Sequence, residues 1–227
     1  MHLRPFFSYF GSKWRLARKY GAPQRQLLIE PFAGAAGYAT YWGAEEVLLI
    51  DHNPTVVETW RYLMTATPAD IRALPAVVQC VDDFDLPKGA KNLIGYWLRP
   101  SCATPAKTAG KWAVKHAHQC SVWGAPIRER VASQLHALAG WKIQEGKYTQ
   151  APDVEAHWFV DPPYRGAGHN YVGGQPDYTA LGEWCRRRRG LVQVCEQEGE
   201  TWLPFAPFAR TFGTRRHSVE ALWQQES

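Results

Sequence analysis

His157-Trp158-Phe159-Val160-Asp161-Pro162-Pro163-Tyr164 is the stretch from which the fold is read. Apolar residues run into an acid, two prolines and an aromatic. The run reads as a buried strand. The prolines stop it, because proline has no N–H for a sheet ladder. They also fix φ and leave their carbonyls available. The strand end therefore presents a carboxylate, a backbone carbonyl and a flat ring, all pre-set. That set suits an exocyclic amine on a base, with two acceptors for its hydrogens and a face to stack on. The position suits chemistry at the carboxyl end of a strand in an open α/β sheet. The tetrapeptide alone also supports a plainer reading, a Pro-Pro turn with an incidental acid and aromatic.

A second stretch tips the balance. Leu27-Leu28-Ile29-Glu30-Pro31-Phe32-Ala33-Gly34-Ala35-Ala36-Gly37 is an apolar strand feeding a small-residue turn. Gly34 and Gly37 allow close backbone approach to a ligand or an adjoining helix. Val47-Leu48-Leu49-Ile50-Asp51 is another strand ending in an acid, a position that commonly takes a ribose diol. E-P-F-A-G-A-A-G at 30–37, I-D-H-N-P at 50–54 and D-P-P-Y at 161–164 together resemble the amino-methyltransferases of DNA. The closest group is the Dam-type adenine-N6 enzymes, in which the cofactor-binding motif precedes the catalytic one. Tyr9-Phe10-Gly11-Ser12-Lys13 is similar to that group's first motif, often W-x-G-G-K, with Tyr for Trp and Ser for one Gly. The four motifs span residues 9 to 164 in the group's order.

The resemblance implies a Rossmann-like methyltransferase fold: α/β, a mostly parallel sheet and an antiparallel closing hairpin. It implies S-adenosylmethionine as donor, with Asp161, Pro162, Pro163 and Tyr164 as the catalytic set. Tyr9, Lys13, Glu30, Pro31, Phe32, Ala33, Gly34, Gly37, Asp51 and Asn53 would surround the donor. Lys13 in the first turn of a helix opposes the helix dipole. The resemblance puts the donor's methionine end there, while the bland alternative is a solvated lysine. The group commonly has an Asp-Phe pair near the donor's adenine, after the strand that Trp141–Gln144 suggests. This chain has Lys147-Tyr148, which makes Tyr148 the candidate aromatic wall. Asp83-Phe84 is a better literal match but falls out of order.

The remaining composition bounds the class. A length of 227 residues fits one domain, or one domain with an insertion. An apolar fraction of 45% with 11 Trp speaks for a globular chain rather than a disordered one. No run of about 18 apolar residues is present, so no membrane span is expected. The amino terminus lacks a signal-peptide pattern. Five cysteines without a C-x-x-C pair argue against a disulfide framework or a zinc site and favour a reducing, cytoplasmic setting. A net charge of +5 is modest, so its placement matters more than its sum.

Several elements follow from pattern. Residues 6–20 predict a turn and then a helix capped by Ser12. Asn53-Pro54 opens a helix whose Val56, Val57, Trp60, Leu63 and Met64 face the core. Val77–Val81 reads as a short strand. Ile127, Val131, Leu135 and Leu138 line a helix that Gly140 can end. A helix over Tyr178–Cys185 ends in Arg186–Arg189, which can touch phosphate but reads more simply as a solvated terminus. Leu191–Cys195 is a strand, and the chain beyond it is expected to hold the closing hairpin.

From Lys88 to Pro126 there is no acid, while Lys88, Lys91, Arg99, Lys107, Lys111 and Lys115 alternate with Tyr96, Trp97, Trp112 and Trp123. Cations can neutralise phosphates, and rings can stack on or wedge beside bases. Weak apolar periodicity predicts an inserted target-recognition region at 88–125 within a catalytic domain formed by 1–87 and 126–227. The alternative is a basic surface excursion whose tryptophans pack on the body. Lys107, Lys111 and Lys115 are the candidate DNA contacts, with His169 and Tyr171 from the Gly-rich loop at 166–174, which can close over a base.

The expected activity is methyl transfer from S-adenosylmethionine to the N6 amine of an adenine flipped out of DNA, duplex DNA above all. The chemistry needs no metal and no covalent intermediate, and no obligatory protein partner is evident. A cytosine-N4 or RNA-base acceptor stays open, as does a catalytically silent DNA-binding module on the same fold.

Overall fold

The strand expected at His157–Val160 lies in the middle of a seven-stranded sheet. The computed structural model describes residues 2–165, 174–212 and 217–227. Its strands are β1 Leu27–Glu30, β2 Glu46–Asp51, β3 Trp141–Glu145, β4 Glu155–Val160, β5 Arg189–Gln197, β6 Ala206–Phe212 and β7 His217–Glu226. They stand in the order β3-β2-β1-β4-β5-β7-β6. The first five run parallel, and β7 runs antiparallel to both β5 and β6. This is a Rossmann-like α/β sheet with an antiparallel closing pair.

The strand order places the site. From β1 the chain winds outward through β2 to β3, then returns to β4 on the other side of β1. Ligands bind at such a switch point, outside the carboxyl ends of the strands. Glu30 ends β1, and Asp161 follows β4 directly beside it, since Ile29 pairs with Trp158.

Both sheet faces are covered, which is why the central strands read as near-continuous apolar runs. Leu28, Val47, Leu49 and Phe159 face one core, while Ile29, Ile50, Trp158 and Val160 face the other, following the pleat. The first face is packed by α2 (Gly37–Trp42), α3 (Pro54–Thr65) and α5 (Lys88–Leu98), the second by α8 (Tyr178–Arg186). Asn53 caps α3 by accepting from Thr55 N at 3.0 Å, as its Asn-Pro start predicts.

His157 is fully buried on the first face. Its Nδ1 accepts from Gln24 N at 3.2 Å, so the proton sits on Nε2, which faces Gln193 Oε1 at 3.1 Å. The Gln193 amide then donates to Tyr20 O at 2.9 Å and to Gln224 Oε1 at 3.0 Å. Burial pushes the imidazole down to about 4, so the ring is neutral at pH 7.

Four expectations are corrected. Residues 6–20 form no single helix: Lys13–Arg15 is a 3-10 turn and α1 covers only Ala17–Tyr20, with no side-chain cap bond from Ser12. Val77–Val81 is no strand: Val77 is exposed and Val81 opens a 3-10 turn. Arg189 starts β5 rather than ending the helix, and Arg188 lies over Trp184 and pairs with Asp153 at the amino ends of β4 and β5. That is the sheet end away from Asp161. Lastly, α5 belongs to the body: Leu93, Ile94 and Tyr96 have no exposed surface. Trp97 donates to Phe6 O and Trp123 to Pro75 O, so these two rings pack internally. Ala90, Leu93, Ile94 and Trp97 form its buried stripe, with Lys88, Lys91 and Asn92 on the opposite side. Gly89 lets it close on α3, where a Cβ would meet Glu58 O at 2.4 Å.

Among the described residues, no helix is long and apolar enough to cross a membrane.

Candidate active site

After β1 the chain turns through Gly34 and Ala36, both at positive φ, before α2 begins at Gly37. Gly34 N donates to Asp51 Oδ2 at 2.9 Å, and Trp60 Nε1 donates to Gly34 O at 2.8 Å. Asp51 Oδ1 accepts from Asn53 N at 2.8 Å. Asp51 thus ties the two strand ends together, and with three backbone donors its carboxylate keeps acceptor capacity for a ligand hydroxyl. Burial pushes its carboxyl up, against the pull of those backbone donors.

The glycine at 37 admits the amino-terminal segment. A Cβ there would stand 2.6 Å from both Ser12 Oγ and Trp14 N and 2.9 Å from Lys13 N. That close approach carries Lys13 over the end of β4. Its Nζ lies 2.8 Å from Asp161 Oδ1, 4.0 Å from Glu220 Oε1 of β7 and 4.6 Å from the centroid of the Tyr164 ring. The Tyr164 hydroxyl donates to Glu220 Oε2. Lys13 is therefore no solvated cation, and its partner here is the acid of D-P-P-Y rather than an open place for a ligand carboxylate.

Burial and charge compete in this cluster. Burial disfavours the Lys13 ammonium, but Asp161 and Glu220 outweigh it and hold the group charged, well above the ordinary lysine value. At Asp161 burial wins over the attraction of Lys13, and the carboxyl is pushed up to about 6. Glu30, buried and accepting from Ala39 N at 2.7 Å, is pushed up to about 8 by burial. It carries a proton at neutral pH.

A small cavity of about 50 Å³ lies among these groups. Of the sequence candidates, Tyr9, Lys13, Glu30, Phe32, Ala33, Gly34, Gly37, Asp51, Asn53, Asp161 and Pro163 line it. Phe10, Ser12, Tyr38 and His52 line it too and were not foreseen. Pro31, Pro162 and Tyr164 lie outside the lining, and Tyr148 stands one layer behind, stacked on Phe32 at 5.5 Å. Phe32, rather than Tyr148, presents the aromatic wall. The carbonyl of Pro163 accepts from Tyr178 at 2.6 Å, which leaves that of Pro162 as the candidate for a ligand amine.

Three buried atoms on this cavity have no hydrogen-bond partner among the described residues: Ser12 Oγ, Asn53 Nδ2 and Asp161 Oδ1. Asp161 Oδ1 is not bare, because the Lys13 ammonium stands 2.8 Å from it. An open hydroxyl and amide NH2, with a carboxylate oxygen held by one cation, suit a ligand rich in both donors and acceptors.

A wider groove of about 1620 Å³ adjoins the cavity through Tyr9, Phe10, Gly11, Ser12 and Lys13. Arg4, Lys13, Arg15, Arg99, Lys107, Arg130 and Arg210 line it, against one acid among the described residues, Glu220. Half-exposed Trp112 stands on its wall. Lys107 also meets Asp82 at 3.1 Å. Lys111 and Lys115 are exposed on α6 (Lys111–His116) but lie off the groove, and His169 and Tyr171 fall outside the described residues. Most of the groove's cations are arginines scattered through the sequence, which no local charge run could reveal. Glu220 had one weak signal, an acid amid the apolar centre of a closing strand.

No protein-family model and no curated protein sequence matches the chain. Among solved structures, it is similar to "Putative methyltransferase yhhF" from Escherichia coli, at 12% identity and a TM-score of 0.34, over 88% of this chain and 76% of that one. A likeness of that depth carries no argument about activity.

Proposed function

We propose that the protein transfers a methyl group from S-adenosylmethionine to an exocyclic amine of a nucleic-acid base, with adenine N6 in DNA as the acceptor. The observation that carries this reading is Asp161 Oδ1, a solvent-shielded carboxylate oxygen held, among the described residues, only by the Lys13 ammonium at 2.8 Å, at the switch point of the sheet and beside a basic groove.

The residues fit the donor's chemistry. Asp51 and Asn53 stand where ribose hydroxyls would be met, Phe32 offers a ring to the adenine, and Ser12 has an unused hydroxyl. The cavity is far below the about 300 Å³ or more of a ligand pocket. Retraction of the segment from Tyr9 to Lys13, which separates cavity from groove, would join the two. When bound, the donor supplies an electrophilic methyl on a positively charged sulfur.

The chain's own groups do the rest. An adenine amine is a poor nucleophile because its lone pair is delocalised into the ring. Asp161 and the Pro162 carbonyl would accept its two hydrogens, favour a pyramidal nitrogen and expose the lone pair. Tyr164 would offer a stacking face. Holding nucleophile and methyl in line supplies much of the rate. The amine nitrogen gains the methyl and then sheds a proton, which a carboxyl at about 6 can take up and release to the groove. Inside a duplex the amine is out of reach, so the base must leave the stack.

A cytosine-N4 or RNA-base acceptor is the second reading, because the basic groove serves any of these backbones. The acid at the start of D-P-P-Y favours adenine, since the cytosine-N4 enzymes it resembles more often carry Ser there. A silent binding module is disfavoured by the buried Asp161–Lys13 pair kept at the switch point. The deciding experiment incubates the protein with labelled donor and, separately, duplex DNA, single-stranded DNA and RNA, then digests the products to nucleosides. Label in N6-methyladenine from DNA supports the reading. Label in no nucleoside defeats it.

A further inference from the structure

Four side chains from distant parts of the chain meet at the exit of β4, and Glu220 engages two of them. Its Oε2 accepts from the Tyr164 hydroxyl, and its Oε1 lies 4.0 Å from Lys13 Nζ. Lys13 in turn stands 2.8 Å from Asp161 Oδ1. Two carboxylates therefore share one ammonium. Glu220 is 8% exposed and lines the basic groove beside the cavity. The buried hydroxyl of Tyr20 and thiol of Cys195 complete the surroundings, both kept neutral by burial. Glu30 and Glu196 lie farther off, their carboxyls raised by burial and, less, by the charge of Asp161.

We propose that Glu220 is a positioning residue for the transfer step: it fixes the ring of Tyr164 and receives Lys13 when Asp161 takes up the substrate amine. This rests on the amine-methylation reading above. The amine hydrogen and the Lys13 ammonium compete for the same oxygen of Asp161. Displacing the ammonium with nothing else nearby would strand a buried charge. With Glu220 already in reach, Lys13 needs only a short swing to stay paired. The same carboxylate holds Tyr164 by its hydroxyl, so ring and acid are set by one group.

The test uses the full chain with Glu220→Gln, Glu220→Ala and Tyr164→Phe. The first readout needs no turnover: the Asp161 carboxyl is followed by carbon-13 NMR through a pH titration of donor-free protein. In Glu220→Gln, Asp161 should titrate lower by about half a pH unit, a roughly threefold change in its proton equilibrium. A negative neighbour is gone and Lys13 is left to Asp161 alone. The second readout is turnover at saturating donor and acceptor. Glu220→Gln should lower kcat roughly tenfold with donor affinity unchanged. Glu220→Ala should fall further, because Gln retains an oxygen for the Tyr164 hydroxyl. Tyr164→Phe should lower kcat while leaving the Asp161 titration close to wild type.

An Asp161 titration identical in wild type and Glu220→Gln overturns the proposal, as does an unchanged kcat. A loss of melting temperature with the Asp161 titration unmoved also overturns it, since that marks a purely structural acid. If the wild type methylates no acceptor, the proposed function fails by itself. The carboxyl titration then still decides whether Glu220 and Asp161 share Lys13.

Discussion

Lys13 Nζ lies 2.8 Å from Asp161 Oδ1, joining the first motif of the chain to the last. The pair is formed across most of the sequence and sits at the one switch point of the sheet. It makes the amino-terminal segment part of the catalytic apparatus proposed here rather than only a wall for the donor.

The first prediction concerns Asp161 itself. Asp161→Ala should retain donor and DNA binding while methyl transfer falls by orders of magnitude. Asp161→Asn keeps an oxygen that accepts one hydrogen bond and should stay measurably above Ala. Single-turnover rates with labelled donor check this, and full activity in Asp161→Ala would remove D-P-P-Y from the chemistry.

A pH dependence follows from the same group. The working form of Asp161 is the carboxylate, and its carboxyl is pushed up to about 6. The rate should therefore be level above that pH and fall about tenfold per unit below it. Lys13→Met removes the cation that favours the carboxylate, so the acid limb should move to higher pH. The variant should also lose about 3 kcal/mol of stability at pH 8 and less at pH 5, where Asp161 takes a proton instead. A limb that stays put in Lys13→Met would contradict the pairing.

Gly37→Ala probes the close approach of the amino-terminal segment. The added Cβ would meet Trp14 N at 2.6 Å, and a backbone atom yields poorly. Overpacking of this kind costs about 1–3 kcal/mol. Donor affinity should drop along with stability, because the displaced residues line the cavity. Calorimetric titration reads this directly, and wild-type affinity in a folded Gly37→Ala would separate Gly37 from the donor site.

Glu30 gives a stability test with a fixed sign. Its folded value of about 8 lies above the ordinary 4.5, so the folded state holds the proton more tightly. Stability is then full below about pH 4.5 and is lost as pH rises toward 8. Glu30→Gln has no proton to lose and can still accept from Ala39 N. Its melting temperature should exceed that of the wild type at pH 8, by about 1 kcal/mol or more in stability, and the gap should close toward pH 4. A gap that does not change with pH would show that Glu30 is ionised in the fold.

The groove predicts which cations meet the backbone of the nucleic acid. Arg15, Arg99 and Arg210 are exposed and line it. Replacing all three with Gln should weaken DNA binding and flatten the salt dependence by up to about three units of slope. Replacing Lys111 and Lys115, which lie off the groove, should do less. Fluorescence anisotropy across a salt series checks both, and the reverse order would move the DNA onto α6.

The sequence was most legible where chemistry is local. Glu30, Gly34 and Asp51 sit at strand ends that apolar runs mark out, so their convergence could be foreseen. Asn53 carries its own capping signal. Legibility failed where partners are distant. Tyr164 and Glu220 are 56 residues apart, and nothing within β7 announces that its acid turns toward β4. It failed again at α5, where Ala90, Leu93, Ile94 and Trp97 recur at helical spacing inside a segment whose run of cations without acids drew the reading toward an insertion. Tyr148 lost its expected place because Phe32 already occupies the wall in front of it.

The chain of His157, Gln193 and Gln224, buried at its first two members, acts at a distance on the site. Gln193 stands opposite Gln224 in the β5–β7 ladder, and their side chains also bond on the first face. Side chains two and four residues apart on a strand share a face. Glu220, four before Gln224, is thereby committed to the face that carries Lys13 and Phe159. A slip of one residue in β7 would turn Glu220 away from Lys13 and Tyr164 and Gln224 away from the Gln193 amide. The β5–β7 register, to which the glutamine pair contributes, thus sets which way the acid at the mouth of the site points.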